Sequence, residues 1–163
     1  AVGIWAIDFQ QVMPLTPFGR SVYASTGASL SVTCGRVSFV FGLQGPCASF
    51  ETACSASLVA SHYAARALQR EECEMHLAFG INLMLLQESS IGMAIAGMTS
   101  VAGRCHTFDS RADGFARGEG ASCAAMTLSA RLAVVLRGSA VRQDGSSASL
   151  TAPNGPAHSV LAP

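Results

Sequence analysis

The chain has 163 residues, half of them hydrophobic and only 12% charged, and its ten basic and ten acidic side chains leave no formal net charge. This balance gives no indication that the chain recognises nucleic acids or membrane surfaces by charge, and no apolar run reaches the roughly 18 residues that span a bilayer. The low charge predicts that much of the surface is buried against something else. The length fits one domain or part of a larger one, and the lack of a basic, apolar leader predicts no targeting peptide.

The first third of the chain alternates short apolar runs with turns. Residues 2–7 predict a strand, and residues 9–20, with two prolines and a glycine, predict a loop. Apolar residues at 30, 34, 37 and 41 share one face of a predicted helix that ends at Gly42, with Ser25 or Thr26 as its N-cap. The β-branched residues in that segment leave a strand as the alternative.

Cys54 stands between a predicted strand, residues 47–53, and a predicted helix, residues 55–70. The helix is rich in alanine and serine, so it can pack closely on several faces and is expected to be buried. Backbone N–H groups and the dipole at a helix N-terminus favour the thiolate, which is the nucleophilic form of cysteine. The same N–H groups can hold a thioester oxyanion. The position predicts that Cys54 is a nucleophile.

The rest of the chain continues the alternation. Residues 75–86 are nearly all apolar and predict a central strand covered on both faces, and residues 88–98 predict a helix. Residues 99–118 are rich in Gly, Asp and Arg and predict an ordered functional loop. Residues 121–128 and 132–141 predict two more strands, and residues 144–163 predict a loop. Strands that alternate with helices predict an α/β fold with a mostly parallel sheet.

The cysteines indicate neither a metal site nor disulfides. They form no C-x-x-C pair, and no histidine stands at metal-ligand spacing from them. Five of the six are expected to be small buried hydrophobic residues, in a reduced intracellular compartment. The six are Cys34, Cys47, Cys54, Cys73, Cys105 and Cys123.

Three segments carry a family resemblance. Residues 51–60 read ETACSASLVA, residues 103–120 read GRCHTFDSRADGFARGEG, and residues 138–157 contain GSAVRQDG followed by LTAPNGPA. The first resembles the active-site segment of β-ketoacyl synthases, in particular the ketosynthase domains of polyketide synthases, whose common form is DTACSSSLVA. Glu51 and Ala56 are mild departures from that form. The other two segments resemble the same family, in its order and near its spacing.

The resemblance implies an α/β fold of the thiolase-like type, layered α/β/α/β/α, of which this chain would supply most of the first half and the start of the second. Residues 1–163 would then form a partial ketosynthase domain. The first-half core with the nucleophile elbow would occupy residues 1–129, and the second half would start at residues 132–163. Only Ser129, Ala130 and Arg131 stand where the family has a charged helical excursion.

The resemblance also implies an acyltransferase of polyketide or fatty-acid biosynthesis. Cys54 would take an acyl chain from a carrier-protein thioester for decarboxylative Claisen condensation with a malonyl-type extender. The substrates would be carried on the phosphopantetheine of an acyl carrier protein, with no bound cofactor and no metal. The complete domain would be a cytoplasmic homodimer that pairs near residues 47–53.

The family also uses two histidines, in later motifs of the form EAHGTGT and NxGH, and neither motif occurs in these 163 residues. His62 lies about two helical turns beyond Cys54 and is expected to be a packed core residue. His106 is expected to order its loop, and His76 and His158 match no catalytic motif. We therefore expect no condensation by this chain alone. A non-catalytic ketosynthase-like remnant or interaction module remains the alternative, and a thiolase-like or chalcone-synthase-like acyltransferase is a weaker one.

Residues 108–120 form a glycine-rich loop with alternating charges. The EF-hand spacing is absent and two arginines intrude, which argues against a Ca²⁺ loop. The motif of a phosphate-binding loop is also missing. By resemblance, the loop lies beside the active site, and we expect Asp109, Asp113 and Glu119 to support that site through buried ion pairs, without direct chemistry.

Overall fold

The structure is a computed structural model that describes residues 1–5, 8–128, 134–150 and 152–159. It divides into two compact units, Ala1–Arg131 and Leu132–Pro163. The strands are β1 Val2–Ile4, β2 Ser49–Phe50, β3 Met75–Asn82 and β4 Gly120–Thr127. The helices are α1 Asp8–Val12, α2 Ala24–Ala28, α3 Leu30–Phe41, α4 Ala56–Gln69, α5 Glu88–Ile95 and α6 Gly155–Ser159, with 3-10 turns at Met13–Leu15, Pro17–Arg20 and Ala53–Ser55.

The strands form one open, mixed sheet in the order β2-β1-β3-β4. Strand β1 is parallel to both of its neighbours, whereas β4 runs antiparallel to β3 over eight residue pairs. The predicted α/β fold with a mostly parallel sheet is confirmed. Because β1 and β3 are parallel, their carboxyl ends meet at one edge of the sheet, which is where α/β proteins build their sites.

Helix α4 lies directly on this sheet because the facing residues are small. Ala56, Ala60 and Ala64 are at most 4% exposed and follow one another at four-residue spacing. A Cβ atom added to Gly3 would lie 2.4 Å from the carbonyl carbon of Ala56, and one added to Gly80 would lie 2.7 Å from the Cβ of Ser57. The predicted burial of this helix is thus confirmed on the face that meets β1 and β3.

Helix α3 confirms the helix predicted for its segment and rules out the alternative strand. It ends at Gly42, whose φ of 63° is the left-handed conformation that glycine adopts at no steric cost. Its N-cap position is Ser29, rather than Ser25 or Thr26, because the separate short helix α2 occupies residues 24–28.

Several predicted boundaries are wrong. Residues 9–20 are largely helical, since the prolines stand in the first turn of 3-10 helices, where a missing N–H costs nothing. The strand expected over residues 47–53 is only Ser49–Phe50, because the chain then turns into the elbow. Residues 134–141 are irregular rather than a strand, and residues 132 and 133 lie outside the described part of the chain.

The predicted cover on both faces of the central strand is also not observed. Along β3, His76 and Ala78 are buried, whereas Leu77 and Phe79, which point to the opposite face, are half-buried. Most of β4 is exposed. Among the described residues, helix α4 covers one face of the sheet, and helix α3 packs against β2 and β1.

Within its described residues, the second unit contains one short helix, α6, in the segment predicted as loop. Asn154 organises its start: its side-chain oxygen accepts a hydrogen bond from the N–H of Ala157 at 3.2 Å, and its amide nitrogen donates to the carbonyls of Asp144 and Ser146, both at 3.0 Å. The Asn154 side chain therefore replaces helix-terminal partners that the backbone lacks.

Candidate active site

A sharp turn places Cys54 at the start of α4. Ala53 has a φ of 52°, an uncommon conformation for a residue with a Cβ atom. The hydroxyl of Ser55 donates to the carbonyl of Thr52 at 2.8 Å, and the N–H of Ser55 donates to the same oxygen at 3.2 Å. These bonds fix the turn, and the thiol of Cys54 is exposed at its apex. The predicted elbow is therefore observed, in a 3-10 turn that leads into a 14-residue helix.

Cys54 lines a pocket of about 850 Å³. Its walls come from the carboxyl ends of β1 and β3, the start of β4, helix α5 and the loop before β4. Apolar side chains predominate in its lining, among them those of Ile4, Met93, Met98 and Phe115. A thiol in such a pocket can attack an electrophile that carries an apolar group.

The loop from Thr99 to Glu119 is held in place by its own backbone. The N–H of Phe115 donates to the carbonyl of Met98 at 3.0 Å, and the N–H of Ser100 donates to the carbonyl of Phe115 at 3.1 Å. Gly114 allows this approach, because a Cβ atom there would lie 2.5 Å from the nitrogen of Ser100, and its φ is 141°. The predicted ordered loop is thus observed, and it contributes a wall of the Cys54 pocket.

Glu119 connects the end of this loop to the chain after β3. Its carboxylate accepts a hydrogen bond from the N–H of Met84 at 2.6 Å. Beside it, the side-chain amide of Asn82 donates to the carbonyl of Gly118 at 2.6 Å. Arg117 donates to the hydroxyls of Ser89 at 3.1 Å and Ser90 at 2.6 Å. Because residues 117–119 also line the pocket, these bonds hold one of its walls.

Asp109 and Asp113 do not form the buried ion pairs that the family resemblance implied. Asp109 pairs with Arg111 at 2.6 Å, but the Arg111 side chain is 74% exposed. The Arg111 guanidinium, which hydrogen-bonds the carboxylate, lowers the pKa of Asp109. Asp113 is exposed. The ion pair of Asp109 and Arg111 joins residues only two positions apart, so it is a local contact within a surface turn.

Asp8 is a buried carboxylate that the sequence analysis missed. It is 4% exposed, and its Oδ2 atom accepts hydrogen bonds from the N–H groups of Leu85 and Leu86, both at 3.0 Å. It therefore fixes the segment that connects β3 to α5. Residues of both β3 and α5 line the pocket. The signal was an acidic residue directly after an apolar run, where a charge is out of place unless it has partners.

Of the three histidines whose side chains are described, none lines the Cys54 pocket. His76 is buried in the face of β3 and makes an edge contact with the ring of Tyr63, at 5.8 Å between ring centroids. Burial lowers the pKa of His76. His62 and His106 are half-buried, and the side chain of His158 lies outside the described residues.

The cysteines differ from the prediction, because only Cys34 is buried. Cys73 is half-buried, and the remaining four are exposed. Within the described ranges, no three His, Cys, Asp or Glu side chains are grouped as metal ligands would be. No helix in the same ranges is long and apolar enough to cross a membrane.

Comparison with known proteins identifies the family. The family model described as "Beta-ketoacyl synthase, N-terminal domain" matches residues 1–131. One phenolphthiocerol/phthiocerol polyketide synthase polypeptide, from Mycobacterium tuberculosis, is 42% identical over 169 aligned positions, which cover 98% of this chain and 8% of that protein. The polyketide synthase GfsB of Streptomyces halstedii is also 42% identical, over 91% of this chain and 3% of GfsB.

Solved structures agree with this assignment. The ketosynthase from module 6 of the bacillaene synthase of Bacillus subtilis matches with a TM-score of 0.67 and 34% identity, over 77% of this chain and 21% of that one. The oxazolomycin ketosynthase domain OzmH KS7 of Streptomyces albus matches with a TM-score of 0.66 and 29% identity, over 77% and 22%. The chain thus spans a small part of its relatives, and its fold is part of the thiolase-like fold. The chain belongs to the β-ketoacyl synthase family, as part of a ketosynthase domain of the polyketide synthase type.

Removal of the Glu119 carboxylate is expected to loosen the pocket wall. In Glu119→Ala the N–H of Met84 loses its acceptor, which we expect to cost about 1 kcal/mol and to speed hydrogen exchange at that amide. Glu119→Gln keeps an oxygen in place and serves as the matched control. Unchanged exchange at Met84 in Glu119→Ala would refute the supporting role of Glu119.

Proposed function

We propose that Cys54 is the acyl-accepting nucleophile of a polyketide-type ketosynthase. The observation that carries this proposal is the position of its thiol, which is exposed at the N-terminus of α4 and faces an apolar pocket of about 850 Å³. A helix N-terminus supplies N–H groups and a positive dipole end to an anion. The family assignment supports a substrate in which an acyl chain is bound as a thioester.

The proposed transfer needs only groups at the elbow and the incoming thioester. The Cys54 thiolate adds to the thioester carbonyl carbon, and the carbonyl electron pair moves onto oxygen. The N–H of Cys54 is one donor to that oxyanion. Collapse of the tetrahedral adduct expels the phosphopantetheine thiolate, which takes up a proton, and leaves the acyl group on Cys54. The apolar walls of the pocket receive the acyl chain.

We propose that this chain by itself accepts an acyl group and does not extend it. Extension requires a malonyl-type unit to lose CO₂, and the carbanion that forms must be stabilised. In the family two histidines perform this task, and none of the described histidine side chains lines the pocket. The same observation favours the second candidate, a non-catalytic remnant that acts by packing against a synthase.

The proposed partners follow from the family and from the sheet. The acyl donor is an acyl carrier protein, in the cytoplasm. The complete domain is a homodimer that pairs through β2, which is an edge strand of the sheet formed by the described residues. Sedimentation of the chain with and without substitutions on β2 tests the pairing. We also assign the first-half core to residues 1–129 and the start of the second half to residues 132–163.

Incubation of the chain with an acyl-loaded and then a malonyl-loaded carrier protein tests this function. Intact-mass measurement is expected to show one acyl group per chain after the first step. No ketoacyl product is expected after the second. Turnover to a ketoacyl product would refute the restriction to acyl loading, and the absence of any mass gain would favour the non-catalytic candidate.

A further inference from the structure

Two cysteines outside the Cys54 pocket lie close together on separate elements. Cys34 is on α3, and its N–H donates to the hydroxyl of Ser49 on β2 at 3.3 Å. Cys47 precedes β2 by two residues, and its Sγ lies 3.6 Å from the hydroxyl of Ser38, one helical turn beyond Cys34. Both cysteines line the same small cavity, of about 80 Å³. These two contacts and the shared cavity place both cysteines between α3 and the segment before β2.

We propose that Cys34 and Cys47 form a reversible disulfide under mild oxidation, which ties α3 to the segment that leads to the Cys54 elbow. The two positions are separated by 12 intervening residues, so the disulfide closes a short loop. Cys34 is 7% exposed whereas Cys47 is exposed, so the pair has one sulfur that an oxidant in solution can reach and one partner behind it.

The ionisation of the two thiols supports the second step, in which Cys34 attacks the oxidised sulfur of Cys47, whereas the first step rests on the exposure of Cys47. Burial opposes ionisation of Cys34, but hydrogen bonds with Ser49 and Cys47 outweigh it, and the pKa of Cys34 is lowered. Burial raises the pKa of Cys47, and the neighbouring Cys34 raises it further. Cys34 is therefore the thiol that more readily supplies a thiolate once the exposed sulfur of Cys47 has been oxidised.

Hydrogen peroxide supplies the oxidising equivalents. The sulfur of Cys47, after it gives up its proton, attacks one peroxide oxygen, breaks the O–O bond and releases hydroxide, which leaves a sulfenic acid. The Cys34 thiolate then attacks the Cys47 sulfur, and the second oxygen leaves as hydroxide. Both hydroxides take up the two thiol protons, so two thiols and one peroxide give one disulfide and two waters. A dithiol reductant reverses the step by exchange.

Cys73 is the competing partner. It lines the same cavity, and a Cβ atom added to Gly45 would lie 3.8 Å from the Cβ of Cys73. Cys54 is not a candidate partner for Cys47, because it lines the other pocket. The proposal therefore names Cys34, and neither Cys73 nor Cys54, as the partner of Cys47. A peptide map distinguishes these three pairings.

The test is oxidation of the chain with hydrogen peroxide, followed by alkylation of the remaining thiols and digestion with trypsin and an endoproteinase that cleaves after Glu. Cleavage after Arg20 and Arg36 isolates Cys34 in residues 21–36, and cleavage after Arg36 and Glu51 isolates Cys47 in residues 37–51. We expect these two peptides to be recovered joined, to separate after reduction, and to leave Cys54 alkylated.

Matched variants keep the result interpretable. In Cys47→Ser the Cys34 peptide should remain fully alkylated after oxidation. In Cys123→Ser, which removes an exposed cysteine on β4, the joined peptides should form as in the unsubstituted chain. Recovery of Cys34 as a free thiol beside a sulfinic acid at Cys47 would overturn the proposal. Recovery of Cys47 joined to Cys73 or Cys54 would overturn it equally.

Discussion

Replacement of Cys54 by alanine is expected to abolish acyl loading from a carrier-protein thioester. The loss should be on the order of 10³-fold or more, because the substitution removes the nucleophile itself and the remaining groups act only through it. Ser57 and Ser122 also line the pocket, but a hydroxyl without an adjacent base is a weak nucleophile. Intact-mass measurement of the acylated fraction over time checks this prediction.

Cys123→Ala is the control for that substitution. Cys123 is an exposed thiol on β4, and it is absent from the walls of the Cys54 pocket. It should load acyl groups at the rate of the unsubstituted chain. Equal loading by Cys54→Ala and Cys123→Ala would show that acylation is a general reaction of exposed thiols in this chain.

Gly3→Ala is expected to have the largest effect on stability. The new Cβ atom would lie 2.4 Å from both the carbonyl carbon and oxygen of Ala56, which are backbone atoms and cannot rotate away. To relieve the overlap, α4 has to move off β1, which we expect to cost about 3 kcal/mol, the upper end of the usual cost of overpacking. The midpoint of denaturant unfolding, followed by circular dichroism, measures the change.

Gly35→Ala provides the comparison for that experiment. Gly35 lies inside α3, is exposed, and has no atom within 4 Å of the position that a Cβ would occupy. Here alanine should raise stability by about 0.5–1 kcal/mol, because glycine is unfavourable in a helix interior. If Gly3→Ala were as stable as Gly35→Ala, the close packing of α4 on the sheet would be wrong.

The elements with strong local signals are those that sequence reasoning found. Helix α4 follows from a long run of alanine and serine with no breaker, and the end of α3 follows from Gly42, whose left-handed φ is a local requirement. The elbow is also local, since the change from β-prone to helix-prone residues falls at Cys54. The strand predicted over residues 75–86 rests on a local apolar run, and the observed β3 Met75–Asn82 starts at the same residue and ends four residues earlier.

The features that sequence reasoning predicted wrongly or missed depend either on tertiary contacts or on proline, which both breaks and starts helices. The prolines in residues 9–20 predict a loop, yet a proline in the first helical turn is well tolerated. The partners of Asp8 lie at residues 85 and 86, far along the chain, so the burial of its carboxylate could not be seen from its neighbours. The contact between α3 and the segment before β2, which brings Cys34 towards Cys47, is likewise non-local.

The charged loop illustrates the same limit. The family resemblance implied buried ion pairs in this loop, but neither resemblance nor charge pattern decides which partner each carboxylate meets. Asp109 forms an ion pair with Arg111, two residues away, at the surface. Glu119 instead accepts a hydrogen bond from the N–H of Met84, 35 residues away. Glutamate and aspartate accept from backbone donors as readily as from arginine, so the partner of each carboxylate depends on the fold.

Mapping of the acylated residue tests the central claim most directly. After incubation with an acyl-loaded carrier protein, cleavage after Glu51 separates Cys54 from Cys47, and mass spectrometry locates the acyl group. We predict that the acyl group is on Cys54, in the peptide that starts at Thr52. An acyl group on Cys47, Cys105 or Cys123 in preference to Cys54 would contradict the assignment of the nucleophile.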